Sequence, residues 1–94
     1  MQKTNVIGGT IGEILFSLSK ATEAEKPKLL EVLEERISIK YPNEEKILDR
    51  MIKEAMKGKT EVKLWNGVLA PDFSEENITT RVIDNHTVVD WNKD

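Results

Sequence analysis

The hydrophobic residues of this chain change their spacing near Gly58. Before Gly58 they recur every three or four residues, which is the period of an amphipathic helix with one buried face. After Gly58 they alternate with polar residues, and β-branched and aromatic residues become more frequent, as they do in strands. The pattern therefore predicts helices in the N-terminal part of the chain and β-strands in the C-terminal part.

Three helices are predicted, and each has start and stop signals. They run from Thr10 to about Lys20, from a start between Thr22 and Pro27 to about Ile39, and from Asn43 to Lys57. Thr10 and Asn43 are expected as N-caps, because their side chains can accept hydrogen bonds from the first free N–H groups of a helix. Pro27 suits the first helical position, and Gly58 permits a left-handed cap after the third helix.

Two β-hairpins are predicted after Gly58. The first pairs 60–65 with 68–70 around Asn66-Gly67, and the second pairs 79–84 with 87–91 around Asn85-His86. Asn-Gly is a strong hairpin signal, because a type I′ turn needs positive φ at both central residues. In the first hairpin this register places Val62, Leu64 and Leu69 on one face. In the second it places Arg81 opposite Asp90, where the two side chains are expected to form a cross-strand ion pair.

These elements predict an α+β fold in which three helices pack on an antiparallel sheet of two hairpins. A winged-helix arrangement, with the hairpin after the third helix as the wing, is the alternative. The 94 residues are enough for one hydrophobic core, so we expect a single domain over 1–94 with short flexible ends at 1–9 and 92–94.

Composition excludes several classes of protein. Hydrophobic residues make up 38% of the chain and charged residues 33%, with a net charge of −3, as in a folded globular domain rather than a disordered one. The absence of cysteine excludes disulfides, thiolate metal sites and thiol catalysis. No apolar run approaches the roughly 20 residues of a membrane span, so we expect a cytoplasmic protein without a membrane partner.

Residues that could support catalysis form no recognised pattern. His86 is the only histidine and lacks the further ligands of a zinc site. The glycine-rich segment 8–12 precedes a helix and could hold an anion, but it matches no phosphate-binding motif. Glu75 and Glu76 are adjacent in sequence and are expected to be exposed. The sequence therefore predicts a non-enzymatic protein with no catalytic residues, metal or cofactor.

A basic stripe is predicted on the third helix. Lys46, Arg50, Lys53 and Lys57 follow one another at one-turn spacing, opposite the apolar face. Such a face could contact nucleic-acid phosphates, which makes a nucleic-acid-binding regulator the alternative function. The acidic net charge argues for an ordinary solvated helix face instead.

The hairpins predict the leading function. Both are apolar on both faces, and Lys63, Trp65 and Val68 share the face that points away from the core, with Trp91 as a further candidate. Tryptophan is enriched at protein interfaces because it offers a large contact area and one N–H. We therefore expect a small regulatory or accessory protein that binds another protein, with a homo-oligomer as the favoured assembly. Its size and composition would suit a phage or mobile-element protein.

Overall fold

A computed structural model describes residues 9–92 of the chain, so the predicted flexible ends at 1–9 and 92–94 lie outside the described residues except for Gly9 and Asn92. Three helices precede three strands. The helices are α1 (Ile11–Lys20), α2 (Lys26–Lys40) and α3 (Glu45–Met56), and the strands are β1 (Glu61–Asn66), β2 (Thr79–Ile83) and β3 (His86–Asp90). The predicted α+β architecture, with helices first and an antiparallel sheet after them, is confirmed.

Helix α1 begins with a complete capping box. The Thr10 hydroxyl accepts a hydrogen bond from the Glu13 N–H, and the Glu13 carboxylate accepts one from the Thr10 N–H. Together these bonds satisfy two N–H groups that have no partner inside the helix. The prediction of Thr10 as N-cap is therefore confirmed. Ile11, Leu15 and Leu18 on the predicted stripe are fully buried.

Helix α3 ends as predicted but begins differently. Gly58 adopts a φ of +88° and donates to the Ala55 carbonyl, while the Lys59 N–H donates to the Glu54 carbonyl. These two bonds form a Schellman cap, which requires the left-handed conformation that glycine adopts without a steric penalty. The prediction of Asn43 as N-cap is wrong, because Glu44 holds that position and makes no side-chain capping bond.

The first predicted hairpin does not form. Strand β1 pairs with β3 instead, which gives the sheet the order β1-β3-β2, and residues 68–70 are not in a strand. A return strand over 68–70 would have only three residues before Pro71, which cannot donate to a ladder. Strand β3 pairs with β1 from Glu61 to Asn66, and the backbone bond from Trp91 to Thr60 extends this pairing.

The second hairpin forms with its turn one residue earlier than predicted. Asp84 and Asn85 occupy the turn with φ values of +52° and +67°, and Ile83 pairs with His86. Asp and Asn tolerate positive φ better than His, which explains why Asp84-Asn85 is preferred over Asn85-His86. The shift changes every partner by two residues, so Arg81 pairs with Val88. As the sequence predicts, Val82 and Val89 share one face of the sheet, and Ile83 and Val88 share the other.

One face of the sheet covers the helices. Val62, Leu64, Val89 and Trp91 lie in the same buried cluster as the apolar faces of α1, α2 and α3. The opposite face carries charged residues on all three strands. Among the described residues, no helix combines the length and hydropathy needed to cross a membrane.

Candidate functional site

Exposed hydrophobic side chains gather at one end of the sheet. Five large hydrophobic residues are exposed in the described part of the chain, and Trp65, Leu69, Val82 and Ile83 share the end where the β2–β3 turn lies. Their exposed fractions are 42%, 88%, 74% and 45% respectively. We call these four residues the sheet-end patch. The fifth residue, Ile39, lies at the C-terminal end of α2.

Strand register and one hydrogen bond place these residues at the same end of the sheet, with the consecutive residues Val82 and Ile83 on opposite faces. Ile83, His86 and Asn66 form one row across the sheet, and Trp65 directly precedes Asn66. In the next row, Val82 pairs with Thr87, whose hydroxyl donates to the Val68 carbonyl at 3.1 Å. This bond brings the 67–70 segment over the row that contains Val82, so Leu69 reaches the same end of the sheet.

The predicted interface residues do not form one surface. Trp65 and Lys63 are exposed, whereas Val68 is half-buried and packs against the core. Trp91 is only 1% exposed, so its assignment to an interface is corrected: it is a core residue. Its side chain follows Val89 on the sheet face that covers the helices, and its indole N–H has no hydrogen-bond partner among the described residues. The prediction for Leu69 is wrong in the opposite sense: the predicted hairpin placed it on the face towards the core, and it is exposed at the surface.

A bulge in β1 sets the position of Trp65. Lys63 pairs with Val88 and Asn66 with His86, so β1 has one more residue than β3 between these pairs. A bulge of this kind redirects side chains relative to a regular strand. The Trp65 ring lies beside α3, with the Arg50 guanidinium 5.8 Å from the ring centroid. The predicted basic stripe and the exposed tryptophan are therefore neighbours.

Strand β2 is an unprotected edge of the sheet. It pairs with β3 on one side, and all five of its residues are exposed. Natural edge strands are commonly protected by lysine, proline or a bulge. The pairing of β2 with β3 is regular over all five residues, and the strand contains neither lysine nor proline.

The only charge on β2 is neutralised within the sheet. Arg81 lies 3.3 Å from Glu61 and 3.3 Å from Asp90, with one guanidinium nitrogen directed to each. The ion pair predicted between Arg81 and Asp90 is therefore present, but along a diagonal rather than between directly opposed residues. The Arg81 guanidinium points across the sheet towards β3 and β1. Its charge therefore does not lie at the outer edge of β2, where it would disfavour pairing with another strand.

The basic stripe is partly neutralised on its own helix. Lys53 lies 3.3 Å from Asp49, and Lys57 lies 3.4 Å from Glu54. Lys46 and Arg50 are exposed on the same helix. Exposed pairs of this kind contribute roughly 0–1 kcal/mol, so they would not prevent contact with phosphate, but they lower the positive potential of the stripe.

A buried carboxylate holds the N-terminus of α1. The prediction that Glu76 is exposed is wrong: it is 3% exposed and accepts a hydrogen bond from the Ile11 N–H at 3.0 Å. Its second oxygen forms an ion pair with Lys40. The glycine-rich segment before α1 therefore does lead into an anion site, and the anion is a side chain of the same protein.

The same contacts perturb two neighbouring groups. The hydrogen bond from Lys40 to Glu76, and the attraction between their charges, raise the pKa of Lys40 above its ordinary value of 10.5. Burial raises the pKa of the Tyr41 phenol above its ordinary value of 10.0, and the negative charge of Glu76 acts in the same direction. The Tyr41 hydroxyl donates to the Asp72 carbonyl at 2.9 Å, so this cluster ties α2 to the segment before β2.

The described residues contain no group of three His, Cys, Asp or Glu side chains that could hold a metal ion. His86 has its Nδ1 3.1 Å from the Leu64 carbonyl oxygen, a contact that joins β3 to β1. It thus makes a structural contact between strands.

Sequence reasoning missed three residues of the sheet-end patch. Val82 and Ile83 were assigned to strand faces, but no local signal showed that helices would leave β2 uncovered. Leu69 carried one usable signal, since Pro71 follows it too closely for a stable return strand.

Comparison of the chain with models of protein families, with curated proteins and with solved structures found no match.

Proposed function

We propose that this protein is a non-enzymatic binding module that acts by associating with another protein chain through the sheet-end patch. One observation carries the proposal: four of the five large hydrophobic side chains exposed over residues 9–92 lie at the same end of the sheet. Single exposed hydrophobic residues are normal on protein surfaces, whereas their concentration around one end of a sheet is typical of an interaction site. Trp65 supplies the kind of aromatic anchor that dominates many interfaces.

The test compares the patch with the exposed hydrophobic residue outside it. Leu69→Ser and Val82→Ser remove apolar surface from the patch, and Ile39→Ser removes it from α2, where the side chain is 73% exposed. All three changes should leave the fold intact, because substitutions at exposed sites rarely alter stability by more than about 0.5 kcal/mol. Circular dichroism would confirm this for each variant.

We expect the patch variants to lose self-association in solution, or to lose a protein captured from the source cell, while Ile39→Ser behaves as the unchanged chain. The proposal is rejected if the unchanged chain neither self-associates nor captures a protein. It is also rejected if the patch variants bind as well as the Ile39→Ser control.

A second candidate function is binding of single-stranded nucleic acid by the basic stripe. The observation that favours it is the contact between Arg50 and the exposed Trp65 ring, since such surfaces combine cations with aromatic stacking platforms. Lys53→Glu combined with Lys57→Glu should abolish the binding of a labelled oligonucleotide at low salt, whereas Lys28→Glu on α2 should not. Absence of binding by the unchanged chain at low salt would remove this candidate.

A further inference from the structure

We infer that Val82 and Ile83, the two members of the sheet-end patch that lie on β2, belong to an interface with a second copy of this chain, which pairs antiparallel along the free edge of β2. The inference rests on the proposed function and names its partner. The paired strands would join two three-stranded sheets into one continuous sheet across a two-fold axis. This is β-strand addition between identical edges, in which backbone hydrogen bonds supply much of the contact.

The backbone groups available for such pairing follow from the hairpin. Because Ile83 and His86 flank a two-residue turn, they form a hydrogen-bonded pair, and the bonding alternates along the strand. Thr79, Arg81 and Ile83 therefore direct their N–H and C=O groups towards β3. Thr80 and Val82 direct theirs away from β3, towards the free edge. An added strand must consequently bond to Thr80 and Val82.

Charge on the outer face of the sheet selects the register of the pairing. Thr79 continues an acidic row, since it pairs with Asp90, which pairs with Glu61. Arg81 continues a basic row, since it pairs with Val88, which pairs with Lys63. The two rows are adjacent and carry opposite charges. Although Arg81 is already paired with Glu61 and Asp90 of its own chain, the order of the rows along the edge is complementary to itself once one copy is reversed and shifted.

A two-fold axis at Thr80 satisfies both requirements. Thr80 then exchanges both backbone hydrogen bonds with the partner's Thr80, and Thr79 lies opposite the partner's Arg81. The row of each copy that carries Glu61 and Asp90 then continues, through the uncharged Thr79, into the row of the other copy that carries Arg81 and Lys63. An axis at Arg81 would instead place two arginines directly opposite each other, which is unfavourable in a sheet. The Thr80 register also sets Val82, which is 74% exposed in the single chain, against the partner's Ile78.

The absence of cysteine from the chain permits a direct test by cross-linking. Thr80→Cys places two thiols at the axis, where paired strands bring the two Cα atoms to about 5.5 Å, within the range of a disulfide. Thr79→Cys is the matched control, because it is the adjacent exposed threonine and its side chain lies on the other face, away from its own symmetry mate. Oxidation should give a covalent dimer with Thr80→Cys and little or none with Thr79→Cys.

The solution mass provides a second measurement. The unchanged chain should reach twice its monomer mass of 10.7 kDa at high concentration and dissociate on dilution. Val82→Lys introduces a charge at the pairing edge and should give the monomer mass at the same concentration, whereas Ile39→Lys should remain dimeric. Circular dichroism would show that both variants keep the native spectrum.

Two results would overturn this inference. One is a monomer mass at every concentration together with no cross-linking of Thr80→Cys. The other is a dimer of the unchanged chain in which Thr80→Cys fails to cross-link or Val82→Lys has no effect, since that dimer would use another surface. Neither result alone rejects the proposed function, because binding of a different protein that is lost in Leu69→Ser would still support it.

Discussion

Replacement of Glu76 tests whether a buried carboxylate anchors α1 to the segment before β2. In the folded chain one Glu76 oxygen accepts from the Ile11 N–H and the other pairs with Lys40, while the Glu76 carbonyl accepts from the Gly12 N–H at 2.7 Å. Glu76→Ala removes the two side-chain contacts and leaves the backbone contact in place. The Ile11 N–H then has no partner at a buried position.

The expected loss follows from these contacts. A hydrogen bond to a charged group contributes about 1.5–3 kcal/mol, and leaving a buried donor unpaired costs a similar amount. The two figures describe the same interaction, so they are not added. The favourable position of a negative charge at a helix N-terminus adds about 0.3–1 kcal/mol. We therefore expect Glu76→Ala to lower the free energy of unfolding by about 2–3 kcal/mol. Glu76→Gln keeps an acceptor for Ile11 and should lose about half as much.

The assay is urea denaturation followed by circular dichroism and by tryptophan fluorescence, which reports on the buried Trp91 and the partly exposed Trp65. Glu75→Ala is the control, because Glu75 is the adjacent glutamate and is exposed. Its effect should stay within about 0.5 kcal/mol. Equal stability of the Glu76→Ala and Glu75→Ala variants would refute the reasoning. Hydrogen exchange at the Ile11 amide should also accelerate in Glu76→Ala and not in the control.

Three further predictions concern backbone geometry and pH. Gly12→Ala should destabilise the protein by about 1–3 kcal/mol, because the new Cβ would overlap the Glu76 and Asn77 carbonyl oxygens; a gain in denaturation midpoint, usual for Gly→Ala in a helix, would contradict this. Gly58→Ala should cost about 1–2 kcal/mol in the same assay from the left-handed conformation alone, because the nearest atom to its Cβ would be the Ser19 carbonyl oxygen at 3.7 Å; an unchanged midpoint would contradict this. Tyr41 and Lys40 both have raised pKa values in the folded state. The folded state therefore binds more protons than the unfolded state once the pH approaches their ordinary values of 10.0 for Tyr41 and 10.5 for Lys40. Urea midpoints should therefore fall with rising pH in that range, and Lys40→Met should reduce the slope; an identical slope would contradict the Lys40 contribution.

Local signals predicted the helices because each signal acts within a few residues. The Thr10 N-cap and the left-handed Gly58 cap depend on hydrogen bonds that span three to five positions, and both are present. Asn43 failed because its neighbour Glu44 takes the N-cap position, and end positions of helices commonly vary by one or two residues. Local reasoning therefore determines which segments are helical better than it determines their first residue.

Strand pairing depended on a competition that local signals do not describe. Asn66-Gly67 favours a turn, and Gly67 does adopt a positive φ, but residues 68–70 after it do not form a strand. β1 gains a longer ladder from β3, which lies about twenty residues further along the chain, than from residues 68–70. The burial of Glu76 is similarly non-local, since its ion-pair partner Lys40 is 36 residues away. Neither contact could be read from adjacent residues.

Because all five residues of β2 are exposed, a substitution on this strand can change association without changing the stability of the single chain. Val82 is 74% exposed, so its apolar surface contributes little to folding of the single chain, and Val82→Thr should leave the free energy of unfolding within about 0.5 kcal/mol. The same surface becomes buried only when another chain pairs with β2, and burial of apolar area at roughly 25 cal/mol per Å² then favours the complex. If Val82→Thr weakens association without changing the urea midpoint, Val82 stabilises the complex and not the fold of the single chain. Reduced stability of the monomer in the same variant would instead make Val82 a structural residue of the hairpin, and the sheet-end patch would lose its central member.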